Sequence, residues 1–353
     1  LRKQSIRTYL SNTIALPYIV ALTVVALAMI VGVSMGSSSI PLSTVVHIFI
    51  QNVFSIQTDQ LIDESMVNIV MSIRLPRVLL AFCVGASLAL AGAAFQGLLK
   101  NPLADPYTLG VSSGASLGAV IVIFFHIQLP FIGSFTLPVI SICAAFVTLL
   151  LVLFFARMAD RKMSVETLIL AGIIFSAFLG AVLSLVIALS GEELRQIMSW
   201  LMGSVSMRGW AYIQLIVPFL VVSFVLLLFC TRELNALSFG EESASHLGVN
   251  VNRTKWIVLI SASMLTGAAV AVAGTIGFVG LVIPHLTRMV WGANHVRLLP
   301  LSMLYGGAFL IIADLVARTI IAPTELPIGV ITAFIGAPIF SYIFFRRRRR
   351  KEG

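Results

Sequence analysis

The sequence predicts an all-α, polytopic membrane protein, a bundle of about ten transmembrane helices forming a single transmembrane domain over residues 1–353. Three observations carry this. Of the 353 residues, 59% are hydrophobic and 10% are charged, whereas soluble domains are near half apolar and a quarter charged. Mean hydropathy is +1.05. Apolar runs of roughly 20 residues, the length that crosses a bilayer as a helix, recur along nearly the whole chain. In hydrocarbon the backbone must satisfy its own polar groups, which leaves helices or closed barrels. A barrel shows alternating segments of about ten residues, and the runs here are continuous and rich in Leu, Ala, Val and Gly.

The first run, 14–35, follows the basic residues Arg2, Lys3 and Arg7. Its apolar part exceeds the roughly 7–15 residues of a signal-peptide core and no small-residue cleavage site follows cleanly, so it reads as a first transmembrane helix. The second, 76–99, ends in the Gly-rich stretch A-G-A-A-F-Q-G-L-L. The third, 108–126, is interrupted at its start by Pro102, Pro106 and Gly110. Runs 137–156, 165–190, 210–230 and 257–274 follow. The eighth, 276–290, is broken by Gly277, Gly280 and Pro284. Broken helices suit a translocation path, because freed backbone groups persist only where neighbours or a cavity satisfy them. The ninth run, 301–321, carries Asp314 and Arg318 four residues apart, on one helix face, where they can pair. The tenth is 328–345. Gly32 with Gly36, Gly114 with Gly118, and Gly306 with Gly307 permit close helix approach. The second run's ending is echoed by A-G-T-I-G-F-V-G-L-V at 273–282. Five spans separate the copies, and an odd offset reverses their membrane orientation, as in an inverted repeat.

An even number of spans puts both termini on one side. With the amino terminus cytoplasmic, 18 of the 23 Lys and Arg fall inside, including Lys100, Arg157, Arg161, Lys162 and the basic tail at 346–353, as the positive-inside rule requires. The five exceptions are Arg74, Arg77, Arg195, Arg208 and Arg318. All are arginine, whose planar fork suits carboxylates, so Arg74, Arg77 and Arg318 are candidates to dock an acidic partner outside the membrane. The longest inner loop, 231–256, contains a segment at 241–247 able to form a short amphipathic helix between Gly240 and Gly248. Such a helix, held parallel to the inner surface, can take up force from a cytoplasmic partner.

Several function classes are excluded. No lysine is followed by Ser or Thr, so the G-x-x-x-x-G-K-S/T phosphate loop is absent and ATP-driven work must come from a partner. The chain has no H-E-x-x-H, C-x-x-C or G-x-S-x-G, and Cys83, Cys143 and Cys230 are far apart inside apolar runs, as packing residues. No catalytic constellation, metal site, bound cofactor or nucleic-acid partner is expected. A proton-coupled secondary transporter is the alternative class; it needs ionisable groups deep in the spans, which here are nearly free of them apart from Asp314 and Arg318.

The segment R-L-P-R-V-L-L-A-F-C-V-G-A-S-L-A-L-A-G-A-A-F-Q-G-L-L-K-N-P-L-A-D-P-Y-T-L-G-V-S-S-G-A at 74–115 resembles the signature of the iron-siderophore, haem and vitamin B12 ABC-importer permeases. W-L-M-G-S at 200–204, G-F-V-G-L-V-I-P-H-L-T-R at 277–288, and A-D-L-V-A-R, E-L-P-I-G-V and G-A-P-I-F within 313–340 continue the likeness in the family's order. The resemblance implies a paired permease, most simply a homodimer, of ten helices per subunit in a bacterial cytoplasmic membrane. Two ABC ATPase subunits that use ATP and Mg would lie below, and an extracytoplasmic binding protein delivering a ferric siderophore-type chelate above; haem or vitamin B12 are the alternative cargoes. It implies that Arg74, Arg77 and Arg318 receive acidic residues of the binding protein. It also implies that Glu241, Glu242, Ser245, His246 and Gly248 contact the ATPase, and that Met163 and Ser164 narrow the path at a cytoplasmic gate.

Overall fold

The computed structural model describes residues 15–36, 40–54, 63–161 and 163–349, with the side chains of 53, 54 and 343–349 excepted. Arg2, Lys3, Arg7, Lys162 and the tip of the basic tail lie outside these residues. Within them all regular structure is helical. The long helices are α1 (Leu16–Ser34), α2 (Leu42–Phe54), α3 (Leu75–Leu98), α4 (Val111–Phe124), α5 (Thr136–Ala159), α6 (Val165–Leu189), α7 (Gly209–Phe229), α8 (Val251–Ala273), α9 (Val279–Trp291), α10 (His295–Thr319) and α11 (Ile328–Arg349).

Each of the ten apolar runs coincides with one of these helices, and among the described residues seven helices are long and apolar enough to span a membrane by themselves. The addition is α2, whose apolar residues are broken by His47, Gln51 and Asn52, so that only one face, with Val45 and Ile48, is buried. The boundaries move where proline and glycine act. Helix α3 is preceded by a short helix, Glu64–Asn68, and a π-turn, Ile69–Arg74. Pro76 has no N–H for the carbonyl four residues back and would crowd it; widening to i→i+5 bonding, with Leu75 N–H donating to the Val70 carbonyl, relieves the conflict. Helix α4 starts only after a 3₁₀ turn, Pro106–Leu109, and Gly110 at φ +74°. Of the interruption expected at Gly277, Gly280 and Pro284, only Gly277 lies in the observed break, 274–278; Gly280 and Pro284 sit inside α9.

That break is knitted to its neighbours. The Tyr107 hydroxyl accepts from the Ile276 N–H and donates to its carbonyl, both at 2.9 Å. The Thr275 hydroxyl donates to the Leu201 carbonyl, and Ser204 N–H donates to the Ala273 carbonyl at 2.8 Å. The W-L-M-G-S segment also supplies the Met202 and Gly203 carbonyls to the first N–H groups of α11, which a helix start cannot satisfy internally.

The core is built on α3, whose residues from Val84 to Leu98 are all buried, with α8, α9 and α10 packed around it. Two contacts need glycine on both sides. A Cβ on Gly85 would lie 2.2 Å from the Gly306 carbonyl oxygen, and one on Gly92 would lie 1.9 Å from that of Gly280. The two echoed segments therefore meet in space, through Gly92 and Gly280. By contrast α6 buries only Leu168, Ala171 and Gly172 and exposes Leu170, Ile173, Ile174 and Phe178.

Candidate functional site

The structure gathers the charged residues of the polar connections into two clusters, one at each end of the bundle. The first lies where α1 ends and α3 begins. Arg74 is buried, and its Nη1 donates to the Val33 and Ser34 carbonyls at 3.0 and 2.8 Å. These are carbonyls that the end of α1 leaves without intrahelical partners. Arg77, three residues on, sends Nε to both Asp314 oxygens at 3.0 Å and Nη2 to Oδ1 at 2.8 Å. It also reaches Glu325 through Nη1 to Oε1 at 2.8 Å and Nη2 to Oε2 at 3.0 Å, and Ser206 Oγ at 3.3 Å. Arg318 donates to the Gly32 carbonyl, and its Nε lies 3.4 Å from Asp314 Oδ2.

The three arginines assigned to docking thus converge, as does the Asp314–Arg318 pair read from its spacing. The expectation of outward-facing guanidinium groups needs correction, however. Arg74 and Arg318 are 5% and 6% exposed, and Arg77 is committed to two carboxylates of its own chain. The reason is electrostatic: a carboxylate 1% exposed on α10 is too costly to leave without a hydrogen-bonded cation. Three guanidinium groups against two carboxylates leave the cluster one net positive charge. Glu325 is its outermost member, with a side chain 41% exposed, and hydrogen bonds from Arg77 hold its carboxyl below the usual carboxylate range. Arg208 lies over the Tyr212 ring, 5.1 Å from its centroid, a cation–π contact; Arg195 is exposed.

The second cluster lies at the opposite end. The segment 231–256 folds as a helix Thr231–Leu237, a helix Glu241–His246 and the first turn of α8. Gly240 and Gly248 bracket the middle helix at φ +117° and +85°, a region that side-chain-bearing residues rarely adopt. Glu242, Ser245, His246 and Gly248 are exposed, as are Phe239 and Leu247, and Ala244 is buried beneath them. Glu241 turns the other way. Its Oε2 accepts from Lys255 Nζ at 2.8 Å, while the side chain keeps 35% exposure. Lys255 Nζ also donates to the Met163 carbonyl at 2.9 Å. Met163 itself is buried at φ +47°. Ser164 accepts the Thr167 N–H on its Oγ, capping α6, while its own N–H donates to Asp160 Oδ2 at 2.9 Å. Asn235 Oδ1 accepts the His295 N–H at 2.9 Å and lies 2.8 Å from its Nδ1, bracing the first helix of the segment on α10.

Sequence reasoning missed Glu325, Ser206 and Lys255. Glu325 opens E-L-P-I-G-V, and its partner stands 248 residues away. Lys255 was placed in a loop because the seventh run was counted from residue 257, whereas α8 begins at Val251; a lysine inside a helix is the signal that finds it.

The FecCD transport family matches residues 22–346. An ABC transporter permease protein of Bacillus subtilis, YvrB, is 55% identical over 99% of both chains. The cobalamin import system permease protein BtuC of Halobacterium salinarum is 45% identical over 82% of this chain and 76% of its own. A solved inward-facing conformation of a metal-chelate type ABC transporter superposes with a TM-score of 0.80 at 34% identity, covering 92% of this chain and 97% of the other.

Proposed function

The chain belongs to the FecCD transport family, a permease family of ABC importers, and from that premise we propose that it forms the membrane path for a bulky ferric siderophore-type chelate. One observation carries the reading: a family match over almost the whole chain joined to a fold whose exposed short helix lies at the end opposite a cationic cluster. The relative named for cobalamin and the neighbour named for metal chelates support a large chelate as cargo, and haem and cobalamin are the competing chelates within the same class.

In this reading both termini are cytoplasmic and the charge distribution of the loops supports that orientation. Helix Glu241–His246, with Glu242, Ser245 and His246 outward and Phe239 and Leu247 beside them, seats in an ABC ATPase that binds ATP and Mg. The cluster of Arg74, Arg77 and Arg318, with its one excess positive charge, faces an acidic binding protein. The uncovered apolar face of α6 meets a second copy of the chain, and the central path lies between the two. ATP binding closes the ATPases, moves the short helices, and rocks the two subunits so that the path opens alternately; Met163 and Ser164 narrow it at the cytoplasmic end. A cavity of about 630 Å³ between the 274–278 break and α11, lined by residues such as Met202, Phe278, Phe334 and Pro338, supports a path that is apolar. A chelate handed over by a binding protein needs low friction more than a tight site.

Proteoliposomes holding the permease, its ATPase and its binding protein test this. ATP-dependent accumulation of a ferric siderophore, exceeding that of haem and cobalamin, is expected. Uptake without the ATPase would overturn the importer reading, and preference for haem or cobalamin would overturn the cargo.

A further inference from the structure

We infer that Lys255 is the positioning residue that carries displacement of helix Glu241–His246 to the turn at the base of α6; this rests on the importer reading above. The side chain is 1% exposed, which for an ammonium is tolerable only with close, charged or strongly polar partners. Two of those partners belong to different moving parts. Glu241 is the first residue of the short helix, 2.8 Å away, and the Met163 carbonyl belongs to the turn between α5 and α6, 2.9 Å away. The ammonium therefore holds a segment at 241 and a segment at 163, and it is itself fixed to α8.

The geometry makes this a transmission and not simply a staple. Helix Glu241–His246 is six residues long and is flanked on both sides by glycines at positive φ, positions where the backbone can pivot at little steric cost. Its polar attachment to α8 through Glu241 is charge-assisted, and such bonds are about twice as strong as neutral ones. On the other side, Met163 is a non-glycine residue in the left-handed region, a conformation that persists only when its surroundings hold it. The Lys255 bond to its carbonyl is part of that hold, together with the Asp160 bond to the Ser164 N–H. A tilt that draws Glu241 away from α8 shifts the ammonium and loosens the Met163 turn, and α6, capped by the next residue, Ser164, follows.

The test measures chelate imported per ATP hydrolysed in proteoliposomes of the complete complex. Lys255→Met keeps the length of the side chain and removes the donors. It is expected to hydrolyse ATP at the wild-type basal rate while import per ATP falls by roughly fivefold or more, the lower range of coupling between linked sites. Lys255→Arg, which keeps charge and donors, is expected to recover most of the ratio. An unchanged ratio in Lys255→Met overturns the inference. Should that variant fail to assemble, Glu241→Gln, which keeps an acceptor and loses the charge, must lower the ratio, and a wild-type ratio there overturns it equally. Absence of ATP-dependent uptake in the wild-type complex would instead count against the importer reading, and so the two failures are distinct.

Discussion

The contact between Gly92 and Gly280 allows a sharp prediction. An alanine methyl at 92 would start 1.9 Å from the Gly280 oxygen, 2.5 Å from its carbonyl carbon and 2.6 Å from its Cα. All three are backbone atoms, so no side chain can swing aside. Reaching ordinary van der Waals distance requires α3 and α9 to separate by about 1.5 Å. Beside this contact Gln96 Nε2 donates to the Gly280 and Leu281 carbonyls at 3.3 and 3.1 Å, and its Oε1 accepts from Arg288 at 3.1 Å. A separation of that size carries the two Gln96 donations beyond hydrogen-bonding range. Overpacking of a close-packed core costs about 1–3 kcal/mol, and each lost bond adds about 1 kcal/mol. Because the effects share one movement they do not add fully, and about 3 kcal/mol is expected for Gly92→Ala, or roughly 4 °C in melting midpoint for a chain of this length. The assay is thermal unfolding of the detergent-purified protein beside Gly191→Ala, where an added Cβ meets nothing within 4 Å. If Gly92→Ala melts with Gly191→Ala, the close approach is not a constraint on the fold and the reasoning fails.

Two more predictions separate effects of different size. Asp314→Asn leaves the Arg77 guanidinium buried against a neutral partner and is expected to destabilise by about 3–5 kcal/mol, whereas Glu325→Gln, at the exposed rim, is expected to cost about 1 kcal/mol or less; comparable melting shifts in the two variants would contradict the burial argument. Burial raises the Asp105 carboxyl to about 6, opposed by its hydrogen bond from the Tyr107 N–H; the folded protein thus binds a proton more readily than the unfolded chain, and this contribution to stability is complete below about pH 4 and lost as pH rises through 6. Asp105→Asn, which keeps the acceptor without the charge, is expected to raise the melting midpoint at pH 8, to keep about half of that advantage at pH 5 and to lose it below about pH 4, and a pH-independent difference would refute it.

Much of this fold was legible because membrane helices announce themselves by length and composition. The ten runs needed no partner to be recognised, and the short helix between Gly240 and Gly248 was visible from its two glycines. Helix α2 was not, since 13 residues with three polar interruptions resemble a loop when read for spans. The break before α4 falls at the expected Pro102, Pro106 and Gly110, whereas the one before α9 takes in Gly277 but not Gly280 or Pro284, because the identity of a helix-breaking residue does not say which of its neighbours supplies the missing bonds. Tyr107, 169 residues from Ile276, decides the position of the second break, and no local pattern contains that information. The charged sites failed in the same way. Spacing alone joined Asp314 to Arg318, but the stronger partner of Asp314 is Arg77, 237 residues earlier, and an arginine read as an outer-face exception cannot be told from one turned inward until its carboxylates are located.

The two clusters also differ in how firmly they hold, and this bears on where the bundle can move. In the arginine cluster Arg77 alone makes five charge-assisted bonds to two carboxylates, and Arg74 and Arg318 add bonds to the end of α1. Helices α1, α3 and α10 are thereby fixed to one another and to the turn before α11. At the other end, a single nitrogen, Lys255 Nζ, ties the short helix to α8 by an ion pair and the α5–α6 turn to α8 by a carbonyl bond. The turn so tied leads into α6, which of the seven candidate spans has the smallest buried share. Since the arginine end is tied by many bonds and the opposite end by the two of Lys255, relative motion within the chain is expected to concentrate at the turn around Met163, with the arginine cluster following α3 and α10 as one body.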